Sequence, residues 1–448
     1  MECCPNSYLT TSTQCCTHME AFAKVLLVLL PAIYFLIVME VIYSYAVDRF
    51  NFRAMDTISS LSAGMTNAIK SVLGLTVVII GYKYMYEHIA ISQVKASWVT
   101  YLLALVFLDF GTYWYHRLAH SVNIFWNRHV IHHSGETFNI ATALRQSVSK
   151  FVNVSVFFLL PAAILGVPPQ VIAIVTPFHL FIQVWYHTTH IGKLGWLEYI
   201  IVTPSQHRVH HAMNPIYIDK NLSPVFCVWD RLFGTFQEEL DDVPCVYGVT
   251  RQVNTWNPIR INLMHLWLLI RDAWYTDSWT DKMRIWFMPT GWRPEDVKDR
   301  TPVSYATTDS FVPYDTRPTS LLIGWSWFQF VMLSAMTFHL LLQIATIGQP
   351  EVFFYGAYLF LMVYSYTTLM DRDKSAVWLE LCKSCIGIFI IYRMGSWFGI
   401  DQLIPGGTSI VLIYHITSAV VTAYLVKFDL LLDQNDIEPN SKMSTSNS

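Results

Sequence analysis

The chain has 448 residues, of which 53% are hydrophobic, 15% aromatic and only 14% charged, where soluble domains carry about 25% charged residues. That balance excludes an ordinary soluble globular protein, and a net charge of −3 gives no hint of nucleic-acid binding. Several apolar runs are long enough to cross a bilayer, so the chain reads as a polytopic membrane protein.

In chain order, the first feature is a tail over 1–20 in which Cys3, Cys4, Cys15 and Cys16 crowd together. These cysteines suit disulfides if lumenal, or palmitoylation if cytosolic. No cleavable signal peptide is evident, because the first apolar run starts near Phe22, lacks a basic leader and is long enough to stay as an anchor. Predicted spans follow at 21–47, 63–84 and 97–115, the third running directly into His116. The stretch 116–150 is polar and non-spanning. Residues 151–186 are apolar with Pro161, Gly166, Pro168 and Pro169 near the middle, a pattern that predicts a helical hairpin turning in or just beyond the membrane.

From 187 to 318 the chain is rich in Pro, Trp and charge, and reads as a membrane-attached polar layer. Four more apolar runs close the protein, at 320–347, 352–370, 376–398 and 408–428, before a polar tail over 429–448 that is expected to be disordered. Cys382 and Cys385 form a Cys-x-x-Cys pair in the third of these runs, with no second ligand pair, which reads as helix packing. The expectation is an all-α polytopic membrane protein with about eight to nine membrane helices. Its parts are a first membrane block over 21–115, a histidine-rich region over 116–318 and a last membrane block over 319–428. The region 187–318 alone carries thirteen Lys and Arg residues. Placing them in the cytosol puts the N-terminus in the lumen and the histidine-rich layer on the cytosolic side.

Eleven of the sixteen histidines fall between His116 and His211, and eight of them form three groups. These are His116 with His120, then His129, His132 and His133, then His207, His210 and His211. Two separate H-x-x-H-H matches arise by chance roughly once in several thousand such chains. On a helix, residues three and four apart share a face, so each group is expected to aim its imidazoles at one locus. Imidazole is the common neutral ligand of iron, zinc, copper and nickel, and eight nitrogens exceed what one tetrahedral ion uses, which suits two metals in one pocket. Thr203 with Pro204 and Gln206 reads as a capped helix start that aims the third group. His187 and His190, three apart at the end of the hairpin, are further ligand candidates, whereas isolated His179 reads as a packed histidine. Asp109, seven residues before His116, either accepts a hydrogen bond from a ligating imidazole or sits in interfacial water.

The H-x3-H, H-x2-H-H and H-x2-H-H series, in that order, resembles the signature of the fatty acid hydroxylase/sterol desaturase superfamily of integral-membrane diiron oxygenases. Stretches 109–115, 129–134, 141–148 (ATALRQSV), 203–211 (TPSQHRVHH), 218–221 (IDKN), 229–236 (WDRLFGTF), 247–251 and 253–255 resemble, within it, members that cleave ether lipids. The resemblance covers about 109–255. It implies that His116, His120, His129, His132, His133, His207, His210 and His211 hold two non-haem irons. It implies an endoplasmic reticulum enzyme that uses O2 and tetrahydrobiopterin to hydroxylate the carbon beside the ether oxygen of alkylglycerols and lyso-alkyl phospholipids. The products would be a fatty aldehyde and a glycerol derivative. One departure stands out: the family places a glutamate directly after the second histidine of the first motif, where this chain has Ser121, with Glu136 as a nearby substitute. Asn139, Asp219 and Asn221 are polar candidates for supporting or headgroup roles, or simple turn residues.

Two other readings fit the histidines. One is a sterol or fatty acyl hydroxylase or desaturase of the same superfamily, fed by a reductase chain. The other is a metal transporter, whose site should lie near the bilayer midplane between broken helices rather than beyond the ends of spans.

Overall fold

The computed structural model describes residues 10–78 and 80–437, with side chains placed from Met19 to Phe428. The expectations for the four N-terminal cysteine side chains and for residues 438–448 lie outside this described part. The chain opens with α1 (Thr10–Ala46), α2 (Ala54–Val72), α3 (Tyr82–Ile89) and α4 (Trp98–Ser121). Short helices α5 (Asn123–Trp126) and α6 (Val130–His133) follow, then the hairpin pair α7 (Leu160–Leu165) and α8 (Pro169–Ile182). The polar layer holds α9 (Pro204–His211), α10 (Val228–Phe233), α11 (Pro258–Tyr275), α12 (Trp279–Arg284) and α13 (Glu295–Arg300). The last block is α14 (Ser320–Ile347), α15 (Glu351–Met370), α16 (Ala376–Met394) and α17 (Gly407–Ile437). Apart from a two-residue parallel pairing of Val77–Val78 with Val152–Asn153, regular structure among the described residues is helical.

Four helical segments are long and apolar enough to cross a membrane: Met19–Ala46, Ser320–Ile347, Glu351–Met370 and Gly407–Phe428. The second predicted span is corrected. The helix there is α2, which stops at Val72, and Leu73 and Gly74 break the chain well short of residue 84. Nearly every residue of α2 is buried, including Asp56, Thr57, Ser59, Ser60, Ser62 and Thr66. Polar side chains at that density are costly against lipid and are tolerated where protein partners meet them. Ser62 meets the Tyr366 hydroxyl, and Asp56 meets the Arg145 guanidinium at 2.8 Å. α2 is therefore an internal hub, packed between the segment 140–144 on one side and α14 and α15 on the other. The approach to α15 is close at Gly356, where a Cβ would lie 2.3 Å from the Leu73 side chain.

The hairpin at 151–186 forms, but its arms are short apolar helices rather than spans. Gly166 closes α7 at φ +81, and a Cβ there would fall 1.8 Å from the Ser92 carbonyl oxygen, so no other residue fits that turn. The last block packs in sequence, α14 on α15, α15 on α16 and α16 on α17. α17 continues to Ile437, beyond the boundary expected at 428. Cys382 and Cys385 lie on the exposed face of α16 as free thiols, not in the bundle interior, because the adjacent Lys383 and Ser384 take the inward face.

Candidate metal centre

Four elements bring the histidines together. α4 delivers His116 and His120 from its last two turns. α6, with His129 at its N-cap, delivers His132 and His133. α9 starts as the sequence predicts, with Thr203 accepting from the Gln206 backbone N–H and Pro204 at the first helical position. The Gln206 side chain does not complete a capping box, since it donates to the Glu198 carbonyl instead. The end of the hairpin delivers His187.

The imidazoles form two sets whose potential ligand atoms lie within 4.8 Å of one another in each: His116, His120, His129, His133 and His210, and His132, His187, His207 and His211. The expectation that each sequence group serves one locus is therefore corrected. Along a helix, residues four apart differ by only about 40° in direction, whereas adjacent residues differ by about 100°. His129 and His133 thus stay together while His132 turns to the other set, and His207 and His211 part from His210 in the same way. The two sets touch, with the His133 and His211 rings stacked at 4.6 Å.

The polarity of the rings is set by what binds their outer nitrogens. His116 Nδ1 faces the Leu222 carbonyl at 2.7 Å, His210 Nδ1 the Lys220 carbonyl at 3.0 Å and His120 Nδ1 an Asp219 carboxylate oxygen at 3.0 Å. One short loop, 219–222, thus holds three rings of the first set. Asp219 and Asn221 take positive φ values of 59° and 51°, which gives the loop its tight, alternating course. In the second set, His187 Nδ1 faces the Gln183 carbonyl at 3.0 Å and His132 Nδ1 the Arg145 carbonyl at 3.3 Å. With Nδ1 donating, each Nε2 is left as a lone pair pointing inward, the usual state of a metal-binding imidazole.

Those inner nitrogens fit metal ions better than they fit each other. His116 and His129 bring their Nε2 atoms to 2.8 Å, and His207 Nε2 stands 3.0 Å from both His187 and His211. Two nitrogens bound ~2.1 Å from one ion lie about 3 Å apart when at right angles. His120, His133 and His210 have buried Nε2 atoms with no hydrogen-bond partner, an arrangement that is expensive unless an ion completes it. Burial, reinforced by neighbouring imidazoles, holds His129, His132, His133, His207, His210 and His211 well below the ordinary histidine value, so the rings are neutral and ready to ligate.

Other predicted residues fall elsewhere. His190 is outside both sets, bonded to Ser44 Oγ at 2.7 Å. Asp109 does not serve a clustered imidazole. It takes His179 Nε2 at 2.8 Å, the Val225 and Phe226 N–H groups and the Trp229 indole, so it ties α4 to α8 and to the segment entering α10. Asn221 donates to the Gln206 and Gln237 carbonyls, bracing α9. Asn139 caps the 140–144 turn. Ser121 is exposed, and its hydroxyl bonds the Arg117 carbonyl. Glu136 is engaged by Arg53 at 3.0 Å and by the Tyr314 N–H at 2.8 Å.

Sequence reasoning missed three buried supports. Glu40, in apolar α1, accepts from the Ile140 N–H and the Thr188 hydroxyl. Arg145 bonds Asp56, Ser60, Ser134 and the Ile131 carbonyl. Asp230 accepts from the Leu222 and Ser223 N–H groups and from Thr235, fixing the loop that holds the first set. A cavity of ≈ 230 Å³ opens beside that set, with His120, His133 and His210 on one wall and apolar side chains of α11, among them Ile261, Met264 and Leu268, on another.

The fatty acid hydroxylase family model matches residues 101–235, a stretch that contains both histidine sets. Alkylglycerol monooxygenase of Homo sapiens is 34% identical over 362 residues, covering 80% of this chain and 79% of its own. The Xenopus tropicalis protein of the same name is 34% identical over 361 residues, covering 80% of each chain. That of Danio rerio is 33% identical over 378 residues, covering 83% of this chain and 82% of its own. No solved structure matches the chain. With the family model matched and 33–34% identity to these relatives across about four-fifths of each chain, the chain belongs to the fatty acid hydroxylase superfamily, in the branch that holds the alkylglycerol monooxygenases.

Proposed function

We propose that this membrane protein is a diiron monooxygenase that cleaves the ether bond of alkylglycerols and lyso-alkyl phospholipids. The observation that carries the reading is the convergence of nine imidazoles in two touching sets beside a lipid-compatible cavity. His116, His120, His129, His133 and His210 would hold one iron, and His132, His187, His207 and His211 the other. Bound there, a histidine-ligated iron pair supplies the activation of O2 and the insertion of one oxygen atom into a C–H bond.

The chain's own residues position and shield the reacting carbon. The α11 wall of the cavity offers apolar contact for the alkyl chain and keeps bulk water from the histidines. The 219–222 carbonyls and the Asp219 carboxylate keep the rings in one orientation through turnover. An alkyl carbon that gains a hydroxyl beside the ether oxygen is a hemiacetal, which parts into a fatty aldehyde and a glycerol alcohol without further redox change. The two electrons and two protons that reduce the second oxygen atom to water are assigned to tetrahydrobiopterin, as the family resemblance implies. Ser121 offers it no carboxylate, and Glu136 is already engaged by Arg53 and the Tyr314 N–H. The basic residues of 187–318 favour a cytosolic active face with the N-terminus lumenal, in the endoplasmic reticulum membrane.

The test is aldehyde release by the purified, iron-loaded protein given an alkylglycerol, O2 and tetrahydrobiopterin. His133→Ala and His210→Ala should abolish it. Turnover only with a reductase chain and a sterol or acyl substrate would replace this reading with the other superfamily chemistry.

A further inference from the structure

The wall of the 230 Å³ cavity that holds Arg251 and Tyr305 carries an imbalance of charge. No hydrogen bond or ion pair among the described residues holds the Arg251 guanidinium, which is half-buried. The charged groups that act on it are Arg271, Arg293 and Asp272, with Tyr305 alongside. Asp272 is already taken: Arg293 grips it in a fork, Nε at 2.5 Å and Nη2 at 3.0 Å, and Arg271 adds a contact at 3.3 Å. Three guanidiniums therefore share one carboxylate. His265, on the same cavity, adds no further positive charge, because burial, with Arg251 beside it, pushes its imidazole down to about 4. The one carboxylate lining this cavity, Asp219, is committed to His120. An unpaired, partly desolvated arginine facing a cavity is a standing site for an anion, and the guanidinium fork matches phosphate oxygens.

We infer that the Arg251 wall is an anion subsite that takes the phosphate of a phosphorylated ether-lipid headgroup. The inference rests on the ether-lipid reading of the neighbouring histidines. One cavity serves both: a lipid whose phosphate meets Arg251 on one wall presents its glycerol ether toward the wall formed by His120, His133 and His210. Arg251 is then a specificity residue that favours phosphate-bearing substrates over neutral alkylglycerols. Tyr305, 48% exposed, marks the solvent edge where the headgroup would enter.

The experiment compares full-length, iron-loaded wild type, Arg251→Met and Arg251→Lys on a 1-O-alkylglycerol and on its 3-phosphate. The expected result is a ratio of kcat/KM, phosphate-bearing over neutral, that falls ~10–100-fold in Arg251→Met, through KM, and is partly kept in Arg251→Lys. In parallel, binding of a non-cleavable acyl lysophosphatidate, read by tryptophan fluorescence, should weaken by a similar factor. Inorganic phosphate should compete only feebly. Equal losses on both lipids, a shift in pterin KM alone, an unchanged ratio, or inorganic phosphate binding as tightly as the lipid would each overturn the inference. If wild type releases no aldehyde from either lipid, the ether-cleavage reading fails, and the fluorescence comparison still decides whether Arg251 binds the headgroup.

Discussion

At the scale of single residues, the most informative contact is the Asp219 carboxylate on His120 Nδ1. Removing a partner of this kind typically costs 10–100-fold in metal affinity. Asp219→Ala should therefore lower the iron retained after dialysis by about that factor, measured by metal analysis, and Asp219→Asn, which keeps an acceptor oxygen, should recover most of it. His190→Ala should retain full iron, because His190 bonds Ser44 outside both sets. The buried rings also set a pH response. The metal-free protein holds six of them well below the unfolded value of 6.5. Above that value these rings are neutral in folded and unfolded chains alike, so their contribution to stability is flat. As pH falls below it, the unfolded chain takes up protons that the buried rings refuse. Stability then drops by up to about 1.4 kcal/mol per pH unit for each ring. Melting of stripped protein should fall more steeply from about pH 6.5 toward about pH 5 than it does above about pH 7. The eight motif histidines were legible from spacing alone. Their division between two sets was not, although it follows from the angular offset of neighbouring helix positions once helices are assumed. His187 was legible only as a candidate, since a lone imidazole gains meaning from the rings it meets.

At the scale of elements, α2 shows where hydropathy misleads. Its serines, threonines and Asp56 are the sequence signature of a helix enclosed by protein. The apolar run beginning at residue 63 hid this by extending the predicted span past the true stop at Val72. The Asp56–Arg145 pair is nearly inaccessible, with each side chain 2% exposed. It also joins α2 to the carbonyl that holds His132, through Arg145 itself. Breaking one partner of a buried pair costs roughly 3–5 kcal/mol because the other is left uncompensated. Asp56→Ala or Arg145→Met should each lower the melting temperature and, on the proposed diiron reading, release first the iron assigned to the His132 set. The double variant should lose less than the sum of the two, as a thermal-shift cycle would read. The caps were legible in advance at α9, where Thr203 and Pro204 stand in order. Asp109 was misjudged because its partner, His179, lies seventy residues away on α8, and no local pattern shows that meeting.

At the scale of the whole molecule, the last four helices brace the histidine-rich layer. Asp371, just beyond α15, accepts from the Trp256 N–H and the Thr255 hydroxyl, and Asp373 pairs with Arg260 at 3.2 Å, so the C-terminal block grips the start of the cavity-lining helix α11. Inside that block lies a polar network no hydropathy profile would place. Glu380 and Lys383 pair at 2.6 Å with each side chain 1% exposed. Lys383 reaches the Tyr414 hydroxyl, which donates to Gln329, and Gln329 donates to Ser418. The network spans α14, α16 and α17, and Ser365 of α15 donates to Glu380. Every helix of the block thus has a stake in one ion pair. Lys383→Met should leave the buried Glu380 carboxylate without its counter-charge and destabilise the block by roughly 3–5 kcal/mol. Glu380→Gln together with Lys383→Met removes both charges and should restore much of that loss. If the block acts on catalysis only by holding α2 and α11 in place, iron content and specific activity of the folded fraction should track melting temperature across wild type, single and double variants. A double variant that regains its melting temperature but not its activity would show instead that the charged pair itself serves turnover.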